Sequence, residues 1–290
     1  VQNAYLNDLI YCAGPLSGSE CDYIKNLNRM VETADEVEQL KVGTVIPGLD
    51  FLHGAIKGNR EYFHYAKNSM IQMTRCDAVF LGEGWEDSKG CKLERGMANK
   101  LNIPVFTTLN DLKDFVNRPK ILCIVGESGS GKTHAADFIE KEYGIPMVRS
   151  YTTRPKRTPD EDSHTFLTEE EFDKIPEKDM IVETVWEGNR YCCKHTDLGK
   201  HNTYVIDEKG YTELKFNYPH LYKIAGLRMW RVWRDRVNSV GMERVKRDEY
   251  KFNLADYCYD FKINNSFNLN HLEHWLNETV EAFFGVEPHW

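Results

Sequence analysis

No apolar run in this sequence approaches the roughly 18 residues of a membrane-spanning helix. The opening VQNAYLNDLIYCAG lacks the basic n-region of a secretory leader and reads as a tail feeding a buried strand. The expected compartment is the cytoplasm. None of the eight cysteines (12, 21, 76, 91, 123, 192, 193 and 258) stands in the C-x-x-C spacing of a structural zinc site. Several fall in strand-like apolar runs and read as buried, reduced thiols. Neither half is basic: net charge is −3 over residues 1–118 and −5 over 119–290, within a total of −8. That excludes the electrostatic footprint of a duplex-binding protein. A small anion can still be held in a local pocket. Internal repeats and low-complexity segments are also missing.

At roughly 100–200 residues per domain, 290 residues suggest two domains, and 41% apolar residues are enough for two cores. Two segments open alike, an apolar strand running into a Gly-rich turn: Leu9–Gly14 and Ile121–Gly126. Each leads into a helix-like stretch and another apolar run, the βαβ rhythm. In the first half the later runs are Val42–Ile46, Ala78–Leu81 and Ile103–Phe106, with helices expected over Glu61–Arg75 and Cys91–Leu101. Five or so short strands alternating with helices predict an α/β fold, each domain a parallel sheet flanked by helices. The polar stretch Asn117-Arg118-Pro119-Lys120 places the boundary between domains 1–118 and 119–290.

Gly126-Glu127-Ser128-Gly129-Ser130-Gly131-Lys132-Thr133 matches G-x-x-x-x-G-K-[ST] in full, after a strand and before a helix-like run over Thr133–Tyr143. The glycines let successive backbone N–H groups line one concavity for phosphate oxygens. The motif assigns ATP to Gly126, Ser128, Gly129, Ser130, Gly131, Lys132 and Thr133, with Lys132 on the terminal phosphates and Thr133 on Mg²⁺.

Downstream come Ser150-Tyr151-Thr152-Thr153-Arg154-Pro155-Lys156-Arg157, Asp162-Ser163-His164-Thr165-Phe166, Val182-Glu183-Thr184, Gly188-Asn189-Arg190-Tyr191 and Val205-Ile206-Asp207. In this order they resemble guanylate kinase over about residues 119–285. The resemblance implies a P-loop kinase fold using ATP and Mg²⁺. It gives Ser150, Arg154, Arg157 and Tyr191 the acceptor phosphate, Glu183 the guanine edge, and Asp207 a place near acceptor and metal. The Arg-rich helix with Arg231, Arg234, Arg236, Arg244 and Arg247 resembles the phosphate-closing lid, with Arg231 and Arg234 taken as catalytic alongside Lys132 and Asp207. Two positions depart from the pattern: His164 stands for a phosphate-contacting tyrosine, and Cys193 for the hydroxyl residue that reads guanine. A thiol is a poor hydroxyl substitute, so a purine or modified deoxynucleotide is expected as acceptor, with a weakened preference for plain GMP.

In the first half, Tyr11-Cys12-Ala13-Gly14-Pro15-Leu16-Ser17-Gly18, Cys76-Asp77-Ala78-Val79-Phe80-Leu81 and Gly84-Trp85-Glu86-Asp87-Ser88-Lys89-Gly90-Cys91-Lys92-Leu93-Glu94 look like the nucleoside 2-deoxyribosyltransferases and the related 2′-deoxynucleoside 5′-phosphate N-hydrolases, over about residues 7–116. Cleaving an N-glycosidic bond needs a carboxylate for the oxocarbenium-like sugar and an acid for the departing base. The resemblance gives these roles to Glu94 and Asp77, with Tyr11 at the strand end and Gly14, Ser88 and Gly90 holding the nucleotide. Relatives often carry an acid near Ser69, where this chain has Asn68-Ser69.

The sequence therefore predicts a bifunctional enzyme of nucleotide metabolism, of the kind a phage replicating altered DNA would use. Its alternatives are a kinase whose first domain only senses nucleotide, and a guanylate-kinase-like binding module without activity. The expected partners are small-molecule nucleotides, with no nucleic-acid duplex and no membrane. A homo-oligomer is left open.

Overall fold

The computed structural model describes residues 7–16, 20–49, 62–248, 252 and 254–288. The tail reading of the first six residues lies outside them, as do Ser17, Gly18 and the Cys21 side chain. The chain divides into two compact units between Asn117 and Arg118. Both are α/β.

The first unit carries β1 (Leu9–Ala13), β2 (Gly43–Val45), β3 (Ala78–Leu81) and β4 (Val105–Phe106). They form one parallel sheet in the order β2-β1-β3-β4. This makes four strands among the described residues, where about five were expected. Helices cover Glu20–Glu38, Tyr62–Met73, Lys89–Lys100 and Leu109–Val116. The β1 and β3 side chains are buried on both faces. Ile10, Cys12 and Phe80 pack with Leu112 and Phe115, while Tyr11, Ala13, Val79 and Leu81 pack with Met73, Cys91 and Ala98. Covering both faces is why these strands read as continuous apolar runs rather than alternating ones. The order reverses between β1 and β3, so the crevice where such sheets bind ligands opens beyond Ala13 and Leu81.

The second unit begins with β5 (Lys120–Val125) and the helix Lys132–Tyr143. Then come β6 (Tyr151–Thr152), β7 (Thr165–Phe166), β8 (Met180–Trp186), β9 (Asn189–Lys194), β10 (His201–Val205), β11 (Lys223–Trp230) and β12 (Phe261–Asn264). A parallel sheet runs β10-β5-β11-β12. It has its own switch point at β5, flanked by β10 and β11. A second four-stranded sheet, β7-β6-β9-β8, was not anticipated: it is largely antiparallel, built on the β8–β9 hairpin that turns at Glu187 and Gly188. Glu187 and Gly188 both have positive φ, as a two-residue hairpin turn requires.

The expected single Arg-rich helix is two helices, Trp233–Val240 and Met242–Asp248. They break at Gly241, whose φ of 84° leaves the helical region. Among the described residues no helix is long and apolar enough to cross a membrane.

Candidate functional site

In the second unit the turn after β5 surrounds a concavity that only glycine permits at two points. A Cβ on Gly126 would collide with the Met229 carbonyl. Gly131 has φ of 97°, and a side chain there would strike Asn265. Lys132 begins the following helix, and its buried ammonium donates to the carbonyls of Gly126 at 2.7 Å and Glu127 at 3.0 Å. Burial lowers its pKa to about 8. Behind the loop, Arg228 holds the Glu127 carboxylate with two hydrogen bonds of 2.7 and 3.2 Å.

A cavity of about 460 Å³ opens on this loop. Gly126, Ser128, Gly129, Gly131, Lys132 and Thr133 line one end; Ser150, Arg157, His164 and Tyr191 line it as well, with Thr184, Trp186, Asp207, Arg244 and Arg247. The Ser150 hydroxyl meets His164 Nδ1 at 2.9 Å. Burial, reinforced by the nearby Arg154, pushes the His164 imidazole down to about 4, so it is neutral at pH 7. Asp207 follows β10 and caps the helix Glu208–Asn217, accepting from Gly210 N at 2.8 Å through one carboxylate oxygen. Thr133 and Asp207, which both line the cavity, suit Mg²⁺, which takes few protein ligands and completes its shell from phosphates and water. Among the described residues no cluster of three or more His, Cys, Asp or Glu offers a metal cage.

Several expected residues lie elsewhere. Arg154 is not among the residues lining the cavity: its guanidinium clamps Glu161 at 2.7 and 3.3 Å and hydrogen-bonds Tyr191. That clamp holds the Glu161 carboxyl down at about 2. Glu183 is exposed and pairs with Arg190 at 2.7 Å, on the face of β8 opposite the cavity. Thr184 and Trp186 occupy the cavity face instead, because strand residues alternate sides. Cys193 is buried in the core, its thiol hydrogen-bonded with the Tyr204 hydroxyl and pushed up to about 12 by burial. Ser130 is fully buried within the loop. Arg231 donates to Ser239 and Arg234 is exposed; neither lines the cavity, whereas Arg244 and Arg247 do. No sequence motif marks Thr184, Trp186 or Asp248 as site residues. Strand parity would have exposed the first two.

In the first unit, the Tyr11 hydroxyl donates to Glu94 Oε1 at 2.6 Å, with the Ser69 side chain also hydrogen-bonded to Tyr11. Burial raises the Glu94 pKa above the usual carboxylate value, and burial with the Glu94 charge raises that of Tyr11. Glu94 sits in the second turn of Lys89–Lys100, not at its start. Ser88 caps that helix, accepting from Cys91 N at 3.3 Å, and Gly90 lies in its first turn. Gly14 follows β1, where a Cβ would press on Met30. Asp77 does not join them. It precedes β3 and accepts from Leu9 N at 2.8 Å, at the amino-terminal edge of the sheet.

Residues 8–107 match a family described as a domain of unknown function, DUF4406. None of the curated proteins compared with the chain matches it. Among solved structures, the guanylate kinase from Anaplasma phagocytophilum is similar, with 18% identity and a TM-score of 0.43 over 59% of this chain and 98% of that one.

Proposed function

We propose that the second unit transfers a phosphoryl group from ATP to a nucleoside monophosphate. One observation carries this reading: the phosphate-cradling loop and the Ser150, Arg157, His164 and Tyr191 group open on the same cavity. ATP with Mg²⁺ supplies the transferable phosphoryl and partial neutralisation of its charge. The protein contributes position and field. Gly129 and Gly131 let backbone N–H groups face the donor phosphates, and Lys132 adds a buried cation. Thr133 and Asp207 are the metal-side groups. Arg157 and Tyr191 hold the acceptor phosphate, and Arg244 and Arg247 bear on the phosphates between the two nucleotides. With Glu183 and Cys193 off the cavity, Thr184 and Trp186 are the β8 residues placed to meet the acceptor base. Screening common NMPs and dNMPs for ADP formation tests the reading. Lys132→Ala should abolish turnover, a loss of several kcal/mol in transition-state stabilisation, on the order of other charged clamps. Normal turnover by that variant would refute it.

We further infer that the first unit cleaves, or exchanges the base at, the N-glycosidic bond of a deoxynucleotide. The Tyr11–Glu94 pair supports it: a half-buried carboxylate, held at one oxygen, keeps the other for an oxocarbenium-like sugar. The first-turn N–H groups beside Ser88 and Gly90 suit a 5′-phosphate. Release of free base by the full chain tests this part separately from ADP formation.

A further inference from the structure

Every polar atom of Ser128, in the phosphate-cradling loop, is held by the two helices that follow β11. Its N–H donates to Asp248 Oδ2 at 2.6 Å. Its carbonyl accepts from Arg236 Nε at 3.0 Å, and its hydroxyl from Arg247 Nη2 at 3.1 Å. Asp248 is 1% exposed, with Arg247 Nε at 3.1 Å from Oδ1 and Arg236 Nη2 at 3.7 Å from Oδ2. Arg236 is itself 7% exposed, and among the described residues its Nη2 has no hydrogen-bond partner. Val240 stands close enough to Gly129 that a Cβ there would lie 3.2 Å from its methyl. The loop is thus gripped by a carboxylate set between two arginines.

We propose that Asp248 is a positioning residue that serves as an internal anion: its carboxylate takes the Ser128 N–H and gives it up when a polyphosphate enters. This rests on reading the loop as the donor-phosphate cradle. A backbone N–H facing such a cradle is an anion donor. A buried carboxylate on it competes with an incoming phosphate, and repulsion between two anions is strong away from bulk water. Displacing the carboxylate frees hydrogen-bonding capacity on Arg236 and Arg247, which then face an anion of higher charge. The carboxylate meanwhile keeps two arginines and a glycine-rich loop ordered without ligand. Its pKa lies below the usual aspartate value, so it is charged at neutral pH.

The test is equilibrium binding of inorganic tripolyphosphate and of ATP to the full chain. A purely structural Asp248 predicts weaker binding when it is replaced, because the loop loses a tie. An internal anion predicts the opposite sign. Asp248→Asn, close in shape but uncharged, should bind tripolyphosphate about tenfold tighter or more. Its unfolding midpoint without ligand should be lower than that of the wild type. Asp248→Ser, also neutral, provides the same comparison if the Asn variant does not fold. Binding in the variant that is equal or weaker overturns the proposal while leaving the loop as a phosphate site. Absence of tripolyphosphate and ATP binding in both wild type and variant overturns the loop reading and this proposal with it.

Discussion

Tyr11 on β1 and Glu94 on the helix Lys89–Lys100 are joined by a 2.6 Å hydrogen bond, although they stand 83 positions apart in sequence. The phenol fixes one carboxylate oxygen, and burial favours the protonated acid. For a group meant to face a developing sugar cation, loss of charge should matter more than loss of the tie. In a full chain carrying Lys132→Ala to silence phosphorylation, Glu94→Gln should slow base release from a dNMP by about 100-fold or more, a typical size for a charge-stabilising group. Tyr11→Phe should cost less and shift the acid limb of the pH–rate profile. Chromatographic detection of free base distinguishes these outcomes, and equal rates in Glu94→Gln would identify another carboxylate as the reacting one.

Acceptor selectivity provides a second test. Glu183 is bound to Arg190 away from the cavity, whereas Thr184 and Trp186 line it. Glu183→Gln should leave the ranking of acceptor monophosphates unchanged within about twofold, a surface-sized effect. Thr184→Val, which removes a hydroxyl inside the cavity, should reorder that ranking by about 1–3 kcal/mol of discrimination. Competition between GMP, dGMP and other monophosphates measures both; a reordered ranking in Glu183→Gln would contradict the placement.

The donor site should respond to alkali. Burial lowers Lys132 to about 8, so its cation is present below that pH and lost above it. ATP affinity should be flat from pH 7 to 7.5, then weaken by up to about tenfold per unit beyond pH 8. Lys132→Arg, whose guanidinium keeps its proton, should flatten the profile. Titration calorimetry across pH 7–9.5 tests both expectations.

Acid stability should fail in two windows. Neutral, half-buried His164 sits near 4 against an ordinary 6.5, so the unfolded chain takes up a proton that the folded one refuses. Stability therefore falls as pH drops from 6.5 toward 4. Glu161 is held near 2 against 4.5, and its contribution is lost as pH falls through that lower range. Replacing His164 with Gln should flatten the upper window only, and Glu161→Gln the lower only. Unfolding midpoints measured from pH 7 to 2.5 resolve the two.

Where chemistry depends on contiguous residues, the sequence was readable. The loop Gly126–Thr133 needs only its own backbone and the flanking strand and helix, and all three are local. The parallel strands β1, β3 and β5 announced themselves because sheets covered on both faces leave uninterrupted apolar runs. Misplacements arose where one residue of parity or one edge decides. Asp77 precedes its strand, so in a parallel sheet it falls at the end away from the crevice. The Arg231–Arg247 stretch reads as one periodic segment until Gly241 breaks it, which puts Arg244 and Arg247, not Arg231 and Arg234, on the cavity. The Tyr11–Glu94 bond and the Asp248 grip join residues 83 and 120 positions apart, and no local pattern encodes such pairings.

The hairpin turn at Glu187 and Gly188 has an evolutionary corollary. Counting back from it pairs Thr184 with Tyr191 and Glu183 with Cys192. Because faces alternate with a period of two, deleting or inserting one residue between Thr184 and the turn exchanges every side chain of the strand between cavity and exterior. A single deletion there would place a carboxylate where a hydroxyl now stands, giving a lineage a route to a new base in one genetic step, with the phosphate-handling parts of the cavity untouched.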